Sequence, residues 1–188
     1  MAEAKRKKRF FDVEIPIIKK QAQLLAYEPE EIVGRTIKFD LTRFLKGKNV
    51  LIYLKVGKEG KEFIARPTKM EIIHSSLSRV VRKGTDYVED SFVTNCQDAQ
   101  LRIKPFMITR RKVHNSIKRA LRNKAREDLI QYVKDKTAEN IFEDLIRNQL
   151  QKTLSLSLKK IYPLSACEIR ILEVKKAIVP ESKTEQAE

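Results

Sequence analysis

The stretch that decides the fold is Ala99–Arg126, which reads AQLRIKPFMITRRKVHNSIKRALRNKAR. In its first part apolar Leu101 and Ile103 flank Arg102, the alternation of a half-buried strand. From about Arg111 the apolar residues recur at every fourth position, which is the period of an amphipathic helix. A strand that leads into such a helix predicts a chain that changes from strands to helices at this point.

Strand-forming segments fill the chain before this stretch and are separated by glycine turns. Short strands at such intervals are typical of a small barrel or sandwich. Pro105 indicates an edge position or a bulge in the last of them, because proline cannot donate to a ladder. A short helix is predicted at 74–82, where Gly84 follows basic residues. The predicted strands cover 37–41, 49–56, 61–73, 87–96 and 99–109.

Helices are predicted from about 111 to 160, the second of them over 138–160. Pro163 ends this helical region, and the alternation over 168–174 predicts a final strand that rejoins the sheet. The predicted fold class is therefore α+β, with a small β-barrel-like core of short strands and C-terminal helices packed on it. The predicted organisation is a basic arm at 1–9, a single domain at 10–176 and a disordered tail at 177–188.

Composition restricts the function. The chain has 188 residues, with 40 Lys and Arg against 25 Asp and Glu, a formal net charge of +15. Hydrophobic residues make up 41% of the sequence, which is enough for a folded core. A folded chain with this excess of positive charge repels itself unless a polyanion neutralises it. Nucleic acid is the usual polyanion, because each neutralised phosphate releases a condensed counterion.

Several classes of protein are excluded by what the sequence lacks. No apolar run approaches the length of a membrane span, and Asp12, Glu14 and Pro16 interrupt any ordinary secretory signal. Cys96 and Cys167 are far apart and lack metal-ligand spacing, so we expect reduced cysteines in a cytosolic protein, without zinc or a disulfide.

The window Ala99–Arg126 carries only one sign of charge, with no acidic residue. At about 100° per residue, Arg111, Lys118, Arg122 and Arg126 share one helix face, opposite the apolar residues. A solvated surface helix is the alternative interpretation, but such a helix usually mixes signs at i and i+4. Lys124 is the exception on the apolar side, and we expect it to reach outward to solvent.

The candidate RNA-binding residues are all basic. Some have simple structural alternatives: Arg79, Arg82 and Lys83 can cap a helix, and the dipole of a helix C-terminus favours Lys159 and Lys160 without any ligand. The predicted RNA-binding set is Lys5, Arg6, Lys7, Lys8, Arg9, Arg79, Arg82, Arg102, Lys104, Arg110, Arg111, Lys112, Lys118, Arg119, Arg122, Arg126, Lys159 and Lys160.

No enzyme is expected. His74 and His114, the two histidines, lie in no catalytic motif and are expected on the surface or at helix caps. The sequence has no phosphate loop, nucleophile elbow or metal-protease motif. Phe92 and Phe106 are expected in the core and not as platforms for bases. We predict no catalytic residue, no metal site and no cofactor.

Several motifs, taken in order, resemble the archaeal and eukaryotic ribosomal protein family S-three-A-e, also called S-one-e. The resemblance covers about residues 5–175 and includes Lys8-Arg-Phe-Phe and the turn Gly34-Arg35-Thr36. Phe10 stands where the family often has tryptophan. The other motifs are Arg82-Lys-Gly-Thr-Asp-Tyr-Val-Glu-Asp, Leu101-Arg-Ile-Lys-Pro, Ile108-Thr-Arg-Arg-Lys, Lys159-Lys-Ile-Tyr-Pro-Leu and Glu168-Ile-Arg.

This resemblance implies a barrel-like core with packed helices, positioned on the platform of the small ribosomal subunit near the mRNA exit. It implies contacts with the backbone of small-subunit rRNA and with neighbouring ribosomal proteins, and mRNA near the exit as a further candidate. The chain is shorter than eukaryotic members, which indicates the archaeal type. We expect a cytoplasmic protein in the ribosome, with no membrane partner and no homo-oligomer.

Two other functions remain as alternatives. A basic DNA-binding or chromatin-associated module would carry a similar surplus of cations, and an adaptor for acidic protein partners would too. A gel shift that compares duplex DNA with structured rRNA distinguishes the DNA-binding module from an rRNA-binding protein. Cosedimentation with small subunits, released only at high salt, separates the second.

Overall fold

The computed structural model describes residues 7–45, 48–60 and 62–177. The chain divides into two compact units, Met1–Ile73 and His74–Glu188. Most of the predicted basic arm, including Lys5 and Arg6, and the predicted tail beyond residue 177 lie outside the described residues. The expectation of one domain over 10–176 stays a prediction.

The first unit is built of strands. β1 and β2 form an antiparallel hairpin, β1 runs parallel to β5, and β3, β4 and β5 are successive antiparallel partners. Apolar residues alternate along these strands, so that Val13, Ile52 and Leu54 are fully buried. The strands are β1 (Arg9–Ile15), β2 (Lys20–Ala26), β3 (Thr36–Asp40), β4 (Val50–Glu59) and β5 (Glu62–Ile72), with a 3₁₀ helix at Pro29–Ile32.

The described residues of the second unit form an antiparallel sheet and four helices. β8 pairs with β9 along one side and with β6 and then β7 along the other. The elements are α1 (His74–Val80), β6 (Tyr87–Glu89), β7 (Phe92–Asn95), β8 (Ala99–Thr109), α2 (Asn115–Lys134), α3 (Ala138–Ile146), α4 (Gln149–Leu158) and β9 (Leu164–Ala177).

A mixed α and β chain is therefore confirmed, and the last strand pairs with β8 as predicted. The barrel-like core is not confirmed, because the described strand pairings within each unit do not close into a barrel. The bulge predicted at Pro105 is present, since the register of β8 and β9 shifts between Lys104 and Pro105. An edge position was wrong, because β8 has partners on both sides.

Several predicted boundaries change. The helix over 138–160 is two helices, because Asn148 adopts the left-handed conformation at φ 58 between α3 and α4. The strand at 87–96 is two short strands, and the final strand begins at Leu164 and not at 168. Phe10, which stands where the family often has tryptophan, is 70% exposed. β2 was not predicted.

Candidate nucleic-acid interface

Helix α2 begins at Asn115, four residues later than its predicted start at Arg111. The start is set by His114, whose Nδ1 accepts a hydrogen bond from the Ser116 N–H at 3.5 Å. The predicted capping role of this histidine is confirmed. Arg111 and Lys112 therefore lie in the loop between β8 and α2, outside the helix.

One stripe of α2 docks on the sheet. The buried side chains are Leu121, Ala125, Leu129 and Val133, which recur at every fourth residue and are at most 1% exposed. Because 3.6 residues make one turn, this spacing gives a continuous apolar stripe along the helix. Ala120, one residue before Leu121, is exposed and lies outside this stripe. Burial of the stripe fixes which way the remaining side chains of α2 point.

The opposite side of α2 and its leading loop carry exposed cations. Arg110, Arg111, Arg119 and Arg122 are exposed, and none has a side-chain hydrogen bond or ion pair to another residue in the described part of the chain. We define the α2 basic surface as Arg110, Arg111, Lys112, Lys118, Arg119, Arg122 and Arg126. The first turn of the helix has no acidic residue, so the helix dipole adds to this positive potential.

Thr109 holds the loop that carries Arg110 and Arg111. Its fully buried Oγ1 accepts from the Asp86 N–H at 3.1 Å and lies 2.7 Å from the Arg111 carbonyl, to which it donates. The Thr109 N–H donates to the Asp86 carbonyl at 2.8 Å. These hydrogen bonds join the end of β8 to the segment before β6. They hold the backbone of the loop that carries the cations in a defined position.

Asp86 provides the second anchor. Its Oδ2 accepts from the Val113 N–H at 3.0 Å and from the Lys118 ammonium at 3.0 Å. The hydrogen bond from Val113, followed by that from Lys118, lowers the pKa of this carboxyl below its usual value. The carboxylate stays charged at neutral pH and holds the loop against the first turns of α2.

Some cations in the window are engaged within the protein. Lys124 pairs with Asp128 at 3.0 Å, and this hydrogen bond raises the pKa of the lysine. The Arg126 guanidinium lies 5.5 Å from the centre of the Phe92 ring, as a cation–π contact. Lys124 reaches outward as expected, but to acidic partners on the same helix.

The sign pattern differs between the helices. On α3, Arg147 pairs with Glu143 four residues earlier at 3.0 Å, the mixed-sign arrangement of a solvated helix. Over Asn115–Arg126, α2 has no acidic residue with which Arg119 or Arg122 could pair at that spacing. The interpretation of α2 as an ordinary solvated helix therefore fits its second half and not its first.

The structure separates the predicted set into several places. Phe92 lies under Arg126 and is opposite Ile103 in register, so Ile103 faces α2 while Arg102 and Lys104 face away. The other predicted residues lie on further elements. Lys7, Lys8 and Arg9 are in the first unit, Arg79 is on α1, Arg82 follows α1, and Lys159 and Lys160 follow α4; all are exposed.

Sequence reasoning missed Asp86 and Thr109, which position the α2 basic surface without carrying positive charge. The role of Asp86 could not be inferred from the sequence, because its partners Val113 and Lys118 lie more than twenty residues away. No local pattern marks such pairs.

The described residues contain no group of three or more His, Cys, Asp or Glu that could hold a metal. No helix among them combines the length and apolar character needed to cross a membrane. Cys96 and Cys167 are free and buried. Burial raises the pKa of the Cys167 thiol to about 12.

This burial gives a testable result. In the folded protein at pH 8, we expect a disulfide reagent to modify Cys167 at least about a hundredfold more slowly than in denaturant, because only the thiolate attacks. Mass spectrometry after timed quenching measures each cysteine separately. Equal rates with and without denaturant would contradict the burial of this thiol.

A well-anchored helix with an exposed face of one charge defines the class of basic proteins whose surface complements a polyanion. The model of the Ribosomal S3Ae family matches residues 1–177. The chain therefore belongs to the ribosomal S3Ae family. It is a ribosomal protein and not an enzyme, as its motifs predicted.

Curated relatives agree with this assignment. The chain is 28% identical over 166 residues to small ribosomal subunit protein eS1 of Nanoarchaeum equitans, covering 84% of each chain. It is 29% identical over 168 residues to the protein of the same name from Saccharolobus islandicus, covering 87% of this chain and 80% of the relative. It is 28% identical over 184 residues to the protein of the same name from Halorubrum lacusprofundi, covering 92% of this chain and 84% of the relative.

Proposed function

We propose that this protein is a structural constituent of the small ribosomal subunit and binds rRNA through phosphate contacts from the α2 basic surface. The observation that carries the proposal is the set of exposed arginines, Arg110, Arg111, Arg119 and Arg122, that have no ion pair among the described residues. Guanidinium groups bind phosphate oxygens bidentately. Phosphate contacts position a protein on RNA without reading its sequence.

The family and the relatives support the rest of the proposal. The relatives are named as small-subunit proteins, and we carry that location over to this chain. Its site would be the platform near the mRNA exit, in cytoplasmic ribosomes, with small-subunit rRNA and neighbouring ribosomal proteins as partners. mRNA near the exit is a further proposed contact. No homo-oligomer is part of the proposal.

Arg122→Gln tests the phosphate contact directly. We expect it to weaken binding to all structured small-subunit rRNA fragments alike and to lower the slope of log affinity against log salt by about 1. The measurement is fluorescence anisotropy at several salt concentrations.

Arg147→Gln is the matched control, because Arg147 is exposed but already paired with Glu143 on α3. It should leave the salt slope unchanged. If Arg122→Gln abolished binding to one RNA sequence only, Arg122 would be reading bases. If duplex DNA bound as tightly as structured rRNA, the alternative of a DNA-binding module would replace this proposal.

A further inference from the structure

A second candidate site lies in the second unit, on the face of its sheet away from α2. It is a cavity of about 350 Å³ between α1 and the strands β6, β8 and β9, a size within the range of small-ligand sites. Val88 is buried, so its neighbours Tyr87 and Glu89 point to the other face of β6. The cavity is lined by Leu77, Val81, Tyr87, Glu89, Phe106 and Arg170 among others.

Tyr87 presents an aromatic ring to solvent while it stacks on a buried phenylalanine. Its ring stacks on that of Phe106 at 5.8 Å between centroids and 24° between planes. Phe106 is 4% exposed, whereas Tyr87 is 56% exposed. Since the inner face of the tyrosine ring is covered by Phe106, its exposed area lies on the outer face and edges. A flat ligand can stack there without rearrangement of the protein.

A charged pair stands at the same cavity. The Arg170 Nη1 donates to both carboxylate oxygens of Glu89, at 3.3 and 3.2 Å. The two side chains are 35% and 40% exposed. Arg170 is the extra residue of β9 at the bulge opposite Lys104 and Pro105, and bulges often re-aim a side chain at a site. The free guanidinium N–H groups and carboxylate lone pairs place donors beside acceptors.

Unpaired cations continue from the cavity wall. Arg82 and Lys83 follow the lining residue Val81, and Arg79 lies two residues before it on α1. All three side chains are exposed, and none has an ion pair with another residue in the ranges that the structure describes. A stacking ring beside a run of cations is the arrangement by which proteins hold single-stranded nucleic acid.

We propose that this cavity binds an unpaired base of an RNA strand. The base stacks on Tyr87, its polar edge meets Glu89 and Arg170, and the flanking phosphates lie at Arg79 and Arg82. An apolar protein side chain fits less well. It would displace water from the charged pair and offer no hydrogen bonds in place of those that the water made. The inference rests on the proposed function only in taking RNA as the ligand, since the contacts are of a different kind.

The test measures binding of a short single-stranded RNA to the full chain by fluorescence anisotropy at several salt concentrations. Tyr87→Ser should weaken binding about tenfold, the size expected for loss of one base–aromatic stack, with an unchanged salt slope. Tyr87→Phe should retain the wild-type affinity, because the ring remains. Tyr27→Ser is the matched control, since Tyr27 is 45% exposed and lies in the first unit.

The same RNA strand with abasic sites provides a test that depends on no variant. The wild-type protein should bind it about tenfold more weakly than the intact strand, and Tyr87→Ser should cause no further loss. Equal affinity of wild-type protein for abasic and intact strands would overturn the proposal. So would a lower salt slope for Tyr87→Ser, or a free mononucleotide that binds more tightly than the strand. Failure of the phosphate-binding proposal would appear separately, as an unchanged slope for Arg122→Gln.

Discussion

Replacing Arg111, Arg119 and Arg122 together with glutamine is expected to weaken binding to small-subunit rRNA by two to three orders of magnitude near 0.1 M salt. Each phosphate contact contributes about 0.9 to the slope of log affinity against log salt, which is roughly an eightfold factor at that salt. These arginines are exposed and unpaired among the described residues, so the change breaks no internal ion pair. The fold should be unaffected.

A matched triple variant tests whether RNA binding depends on where the positive charges lie or only on the net charge of the protein. Arg147, Lys152 and Lys176 are exposed and lie outside the α2 basic surface, so their replacement by glutamine removes the same charge elsewhere. We expect the control to lose much less affinity and to keep its salt slope. Equal losses for the two triple variants would show that binding follows net charge and not the surface on α2. Thermal unfolding of both variants checks the fold.

Thr109→Val should destabilise the folded state by about 2 kcal/mol and also weaken RNA binding. The substitution keeps the shape of a fully buried side chain but removes its hydroxyl. The Asp86 N–H then loses its acceptor and the Arg111 carbonyl loses its donor. Leaving partly buried polar groups without partners costs about 1–3 kcal/mol. Arg111 loses its fixed backbone, so its contact with phosphate becomes less favourable.

Thr109→Ser is the control for this variant. It keeps the hydroxyl and loses one methyl group, which should cost about 1 kcal/mol of stability without changing RNA binding. Urea unfolding gives the stability of each variant, and anisotropy at fixed salt gives the affinity. If both variants bound RNA like the wild type, the loop from Arg110 to Lys112 would not depend on this anchor.

The elements α2 and β8 and the cationic face of α2 could be predicted, because each depends on residues close in sequence. The fourfold spacing of Leu121, Ala125, Leu129 and Val133 determines both the helix and its buried side. Once that side is known, the direction of Arg119 and Arg122 follows from helix geometry. The alternation from Leu101 to Lys104 likewise predicted β8, and Pro105, which cannot donate to a ladder, predicted the bulge at its position.

Other elements could not be predicted because their structure depends on distant partners. Residues Lys20–Ala26 have little strand preference and form β2 because the edge of β1 is available for pairing. The break at Asn148 depends on one residue adopting positive φ, which a helical pattern does not reveal. Whether the strands of a unit close into a barrel depends on which strands pair with each other, and the alternation of residues within a strand does not specify its partners.

By itself, the sequence determined the class of protein, its mixed fold and the cationic face of α2, since charge and periodicity are local properties of the chain. Only the tertiary structure decided that Arg102 and Lys104 lie on the face opposite α2, and that Thr109 and Asp86 hold the loop. It also brought Tyr87, Phe106 and Arg170 to one cavity. Contacts between residues far apart in sequence arise from strand pairing and packing, and short-range patterns carry no record of them.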